Sequence, residues 1–167
     1  MKPTTIINLY GGPGAGKSTL AARLFYELKT RGGKSVELIA EAAKEDAWIG
    51  KPPYQPDIFF EQARRVVRLC GHVDVVISDS PLLLSALYGG DKWKPLVSAV
   101  ETSLVADGHR IVSCNLVRTK AYQPEGRYQT EEQAQEVDLA LQKFLNGRRM
   151  LRGTSDALIK QILSEVT

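Results

Sequence analysis

The chain has 167 residues, of which 43% are hydrophobic and 25% charged, an ordinary globular composition that excludes a disordered chain. That length is close to one domain and long enough to bury a core without disulfide or metal staples. The 22 Lys and Arg against 19 Asp and Glu leave a net charge of +3, which suits an anionic ligand and is too small to define a nucleic-acid-binding surface.

Residues 5–10 (TIINLY) form a short β-branched run ending at glycine and read as a buried strand. Over residues 17–30, Leu20, Ala21, Leu24, Phe25 and Leu28 recur at helical spacing, and Gly32 and Gly33 stand where a C-cap belongs. Residues 35–40 (SVELIA) read as a second strand. Residues 47–56 hold three prolines and predict an irregular loop. Asp57 is expected to cap the next helix, which runs to about Cys70. Residues 73–78 (VDVVIS) are apolar enough for a central strand. A helical pattern follows over 96–106, then a fourth strand over 110–117 (RIVSCNLV). Residues 118–129 are polar, with Pro124 and Gly126, and read as a loop. Thr130 opens a helix with a capping-box partner at Gln133. A short fifth strand near Met150 and a last helix from about Ser155 complete the chain. Alternating strands and helices predict an α/β fold, a three-layer sandwich around a parallel sheet of about five strands, in one domain over 1–167.

Cys70 and Cys114 lie far apart and read as buried free thiols. His72 and His109, beside glycines at element ends, read as structural or solvent-facing. No apolar run reaches membrane-spanning length and the N-terminal one is too short for a signal peptide, so a soluble, cytoplasmic protein is expected.

The stretch Gly11-Gly12-Pro13-Gly14-Ala15-Gly16-Lys17-Ser18 satisfies G-x-x-x-x-G-K-[ST] at every fixed position, between a predicted strand and a predicted helix. Glycines let the backbone wrap a phosphate closely, and the helix beginning at Lys17 adds its positive end. Gly12, Gly14, Ala15, Gly16, Lys17, Ser18 and Thr19 are therefore the expected nucleotide-binding residues. Lys17 is assigned to the β- and γ-phosphates and Ser18 to Mg²⁺. Lys17 is expected to be partly exposed, so that its removal strands no buried group.

With this motif the chain resembles P-loop NTPases, and beyond it the small nucleoside and nucleotide kinases, most closely the compact P-loop kinases and ATP-binding proteins of bacteriophages. Residues 75–79 (VVISD) are Walker-B-like, an apolar strand ending in Asp79, a second candidate ligand for Mg²⁺. The resemblance implies ATP and Mg²⁺ as cofactors, Glu41 as the base for an acceptor hydroxyl, and Trp48, Gln62 and Arg65 at the acceptor. No proline follows Glu41, a departure from the nucleoside kinases. Helical spacing alone makes Phe59 and Phe60 core residues. The segment 118–129 corresponds to a lid whose Arg118 and Arg127, with Lys120, close over the phosphates. The expected activity is transfer of the ATP γ-phosphate to a hydroxyl of a nucleoside, nucleotide or modified nucleotide. The alternatives are a DNA kinase acting on hydroxymethylated pyrimidines, a nucleoside monophosphate kinase, and an ATP-binding switch. Oligomeric state is left open.

Overall fold

A run of β-branched and apolar residues is stable as a strand only where both of its faces are covered, and residues 5–10 occupy such a place. A computed structural model, which describes residues 2–119 and 129–166, puts β1 (Thr5–Tyr10) at the centre of a five-stranded sheet. The other strands are β2 (Val36–Ile39), β3 (Val75–Ser78), β4 (Arg110–Leu116) and β5 (Leu151–Gly153). They lie in the order β2-β3-β1-β4-β5, and every pairing is parallel. Side chains of β1 alternate between two cores, as the period of a strand demands. Ile7 and Leu9 meet Leu20 and Leu24 of α1 (Lys17–Arg31) and Leu158 and Ile162 of α7 (Ser155–Val166). On the other face Tyr10 packs with Phe59 of α3 (Gln55–Val67), Val97 of α5 (Lys94–Ala106) and Leu141 of α6 (Glu131–Phe144), and Ile6 packs with Val66 and Leu104. The three-layer parallel sandwich expected from the sequence is the fold observed.

Local differences from the sequence reading have physical causes. The helix α2 (Ala42–Trp48) takes the first two residues of the expected proline loop. Asp57 does not cap α3, because that helix begins at Gln55, with Tyr54 as a cap residue that makes no side-chain hydrogen bond. Pro56 supplies the reason: its fixed φ suits the first turn of a helix, where its missing N–H costs nothing. Asp57 still sits in that turn, where its charge favours the helix dipole. The helix α4 (Leu84–Gly89), followed by a 3₁₀ turn at Asp91–Trp93, has no counterpart in the sequence reading. Its sequence, LSALYG, is mostly apolar and its first turn is buried, so no amphipathic period announces it. The Thr130 capping box is present: Gln133 N donates to Thr130 Oγ1 at 3.3 Å, and Thr130 N donates to Gln133 Oε1 at 2.9 Å.

Cys70 and Cys114 are free and buried, and burial pushes their thiols up to about 11 and about 12. His109 is buried and accepts the Thr4 backbone N–H at its Nδ1, while His72 is exposed. No helix among the described residues is long and apolar enough to cross a membrane.

The parallel start of β2 and β3 is tied by Asp74. Lys2 pairs with its carboxylate at 2.8 Å, and the Ser35 N–H and hydroxyl each donate to it at 2.8 Å. The Lys2 ammonium, then the Ser35 donors, hold the carboxyl well below the usual carboxylate range. A folded pKa below the unfolded value of about 3.9 means stabilisation that is complete above that value and lost as pH falls below it. Asp74→Asn is therefore expected to lower the thermal midpoint at pH 7, with the gap from the unsubstituted protein closing below about pH 4. A gap unchanged down to pH 2 in thermal scans would contradict this account.

Candidate active site

The strand β1 turns directly into α1 through residues 11–16. Gly16, the cap residue, has φ +97°, a left-handed conformation that side chains resist and glycine tolerates. Leu20 N is the first amide to bond back, to Gly16 O at 2.9 Å. The N–H groups of Lys17, Ser18 and Thr19 are thus outside the helical ladder. No side chain caps this end, and its first turn carries no acidic residue. Uncapped donors and an uncompensated dipole together favour an anion at this point.

Lys17 differs from its expectation. It is buried, and its Nζ donates to Gly11 O at 2.8 Å and Gly12 O at 3.2 Å. The exposed loop cation read from the sequence is instead folded back onto carbonyls of its own loop, because an ammonium taken out of water needs acceptors. Ser18 and Thr19, the next two residues, are exposed.

Asp79 follows β3 and Glu41 follows β2, and the pairing of Ile39 with Ser78 brings the ends of these strands side by side. The Asp79 N–H donates to Ile39 O at 3.1 Å, while its buried Oδ1 has no hydrogen-bond partner among the described residues. A buried carboxylate oxygen without a donor is costly unless a cation or donor arrives with the ligand. Mg²⁺ suits such a place, since it binds one or two carboxylates together with substrate phosphates. No cluster of three or more metal-ligating side chains occurs among the described residues. The donor set therefore fits a cation shared with bound phosphates, through Asp79 and the Ser18 hydroxyl, and not an all-protein cage.

A cavity of about 270 Å³ opens beside the loop, and Lys17, Glu41, Lys44, Gln55, Ser85 and Tyr88 contribute to its wall. The Gln55 amide donates to Ser85 Oγ at 2.9 Å and joins α3 to α4 there. Lys17 and Glu41 are legible in the sequence, whereas Lys44, Ser85 and Tyr88 carry no sequence signal. Two of these stand on α4, the helix that lacks a legible period. Gln129, before the α6 cap, also lines the cavity.

Three residues expected at the acceptor do not line this cavity. Trp48 ends α2 with 64% of its surface exposed. Gln62 is buried between elements, accepting the Ala42 N–H at 3.3 Å and donating to Ser78 Oγ at 3.4 Å. Arg65 is engaged by two carboxylates, donating to Glu45 at 2.8 and 2.9 Å and to Glu61 at 2.8 Å. Arg64 and then Arg65 draw the Glu61 carboxyl down to about 2. Arg65 thus holds α2 against α3 and shapes the cavity from outside. Phe59 belongs to the core, whereas Phe60 lies on the surface.

Arg118, just past β4, stands at the opposite rim of the loop. Its Nε donates to Asp138 Oδ2 at 2.7 Å and its Nη2 donates to Pro13 O at 2.7 Å. Arg127 and Lys120 lie outside the described residues, as does most of the expected lid.

Sheet order, glycine-rich loop and flanking helices define the class: a P-loop protein with the kinase-like three-layer architecture. A family model described as an AAA domain matches residues 6–152, and the chain belongs to that family. No curated protein matches it in sequence. Among solved structures it is similar to Mycobacterium tuberculosis APS kinase in complex with AMPPNP and APS (TM-score 0.62, 16% identity, 98% of each chain covered). It is also similar to M. mycoides deoxyadenosine kinase with bound dATP (TM-score 0.60, 15% identity, 97% of this chain and 98% of that one). Chaetomium thermophilum Kti12 in complex with ADP-AlF3 matches over 99% of this chain and all of its own, with TM-score 0.60 and 12% identity. These likenesses establish the fold.

A Cβ at Gly16 would find Leu116 Cδ2, at 3.9 Å, as its nearest neighbour, so substitution there meets backbone strain and no clash. Gly16→Ala is accordingly expected to lower the free energy of urea unfolding by about 1–2 kcal/mol. An unchanged unfolding midpoint would show that the left-handed cap is not needed.

Proposed function

We propose that this protein is an ATP-dependent phosphotransferase that moves the γ-phosphoryl group to a small acceptor seated in the 270 Å³ cavity. One observation carries the reading: Lys17 belongs to the phosphate loop and to the wall of the cavity that also holds Glu41. In this reading donor and acceptor sites meet at Lys17. The nucleotide-bound solved structures with this fold support ATP as the donor.

In this reading the backbone from Gly12 to Thr19 cradles the phosphates, and Lys17 exchanges its loop carbonyls for phosphate oxygens. Ser18 and Asp79 hold Mg²⁺, which would neutralise phosphate charge when bound. Glu41, whose carboxylate has no hydrogen-bond partner among the described residues, receives the acceptor's hydroxyl proton. Arg118, with Arg127 in the segment that follows, meets the charge that develops on the moving phosphoryl group. Catalysis is then largely positioning and charge neutralisation. The favoured acceptor is a hydroxyl of a nucleoside, nucleotide or modified nucleotide. Lys44 in the same wall favours a second reading, in which the acceptor is itself anionic, as in a nucleoside monophosphate kinase.

A transfer screen with γ-labelled ATP over nucleosides, monophosphates, and plain and hydroxymethylated DNA tests the reading directly. Label is expected on a nucleoside or nucleotide hydroxyl. Glu41→Gln is expected to cut that transfer by about 10²-fold or more while ATP still binds. Asp79→Asn is expected to weaken the dependence on Mg²⁺, and Lys17→Met, which keeps the buried stem, to abolish turnover. Arg118→Ala should slow turnover by ~10³-fold with a much smaller change in ATP affinity. Full-rate transfer to monophosphates by Glu41→Gln would establish the second reading. Hydrolysis without transfer to any acceptor would make the protein an ATP switch.

A further inference from the structure

The phosphate-loop motif leaves its second position free, yet this chain has glycine there, and the structure shows why. Gly12 does not have a positive φ, so backbone freedom is not the reason. A Cβ at this position would clash with Asp138 Oδ1 and lie 3.3 Å from the Ala134 carbonyl oxygen. A side chain at position 12 would therefore displace the Asp138 carboxylate from the loop.

The contact is polar and closed on itself. Gly12 N donates to Asp138 Oδ1 at 3.0 Å, Arg118 Nε donates to Asp138 Oδ2 at 2.7 Å, and Arg118 Nη2 donates to Pro13 O at 2.7 Å. Both oxygens of the carboxylate are used, and the ion pair is about four-fifths buried, with side-chain exposures of 20% for Arg118 and 23% for Asp138. The guanidinium is thereby held at the rim of the loop, with Nη1 left without a partner among the described residues. Arginine on its own is a flexible chain. Asp138 removes that freedom, and its charge is balanced by the arginine it holds.

We propose that Asp138 is a positioning residue for phosphoryl transfer: it fixes the Arg118 guanidinium on the rim of the phosphate loop and joins α6 to that loop. The inference rests on the phosphotransferase reading insofar as Arg118 is the group that meets the transferring phosphate. Asp138 touches neither donor nor acceptor; its bond to Gly12 N ties α6 to the loop, and its effect on the transferring phosphoryl group runs through Arg118. A residue that acts only through another leaves no trace once that other is gone.

The test compares Asp138→Asn, Arg118→Ala, the double variant and the unsubstituted protein, with circular dichroism to confirm folding. The combination Arg118→Ala with Asp138→Ala, which strands neither charge, serves if Asp138→Asn fails to fold. Steady-state transfer is read alongside calorimetric binding of ADP with and without aluminium fluoride. Asp138→Asn is expected to lower kcat about 10-fold or more with KM for ATP changed less than about 3-fold. In the Arg118→Ala background the same substitution should have no further effect on kcat. The preference for ADP with aluminium fluoride over ADP alone should fall in Asp138→Asn as well. An undiminished kcat, or an equal loss with and without Arg118, would overturn the proposal. If the unsubstituted protein transfers phosphate to no acceptor, the phosphotransferase reading fails, and the aluminium fluoride preference alone decides on Asp138: its loss in Asp138→Asn supports the positioning role, and its absence from the unsubstituted protein, or persistence in the variant, ends it.

Discussion

A helix that begins at the end of a buried strand starts with donors that nothing in the chain satisfies. At the end of β1 the N–H groups of residues 17–19 point out of the helix with no side-chain cap and no acidic residue in the first turn. Ordinary helices meet this problem with Ser, Thr, Asp or Asn at the cap. Here the cap is Gly16 in a left-handed conformation, which turns the chain sharply and contributes no side chain. Lys17, which follows that cap, is held by the carbonyls of Gly11 and Gly12. The rest of the molecule is arranged about this turn. The central strand places it, two helical layers bury the strand, and β3 and β4 deliver Asp79 and Arg118 to either side.

The two sides of the loop are built differently. Toward β2 the wall is made of short helices, α2 and α4, and of the start of α3, held by side-chain contacts such as Gln55 to Ser85 and Arg65 to Glu45. A cavity remains between them. Toward β5 the loop is backed by α6, whose Asp138 is in direct hydrogen-bond contact with it. The β2 side thus holds the cavity, and the β5 side is tight and ionic.

Motif and periodicity made the fold legible, because each major element announced itself. The run TIINLY, the helical spacing from Leu20 to Leu28 and the Thr130 capping box all correspond to observed elements. The acceptor side was less legible for two reasons. The helix α4, buried in its first turn, is mostly apolar and carries no period, so the residues it contributes to the cavity were unreadable. Arg65 and Gln62 stand on a helix where family likeness suggested ligand contacts, yet each is satisfied by neighbouring elements. Sequence spacing reports that a polar side chain exists on a helix face, not which partner claims it. Gly12 shows the same limit, since glycine-rich composition concealed one glycine required by a carboxylate 126 residues away.

Asp79 shows where stability and function pull apart. Its backbone N–H is paired with Ile39 O, which fixes the residue at the end of β3, yet one carboxylate oxygen is buried without a partner among the described residues. An asparagine or serine there would sit more comfortably in the unliganded fold, since a neutral group loses less on leaving water. In the proposed reaction Asp79 would help to hold Mg²⁺, and in a site removed from water that interaction would be stronger than in water. The Arg118–Asp138 pair takes the opposite course, with both charges satisfied before any ligand arrives. One carboxylate near the loop therefore keeps an oxygen without a partner among the described residues, and the other is committed to a cation supplied by the chain.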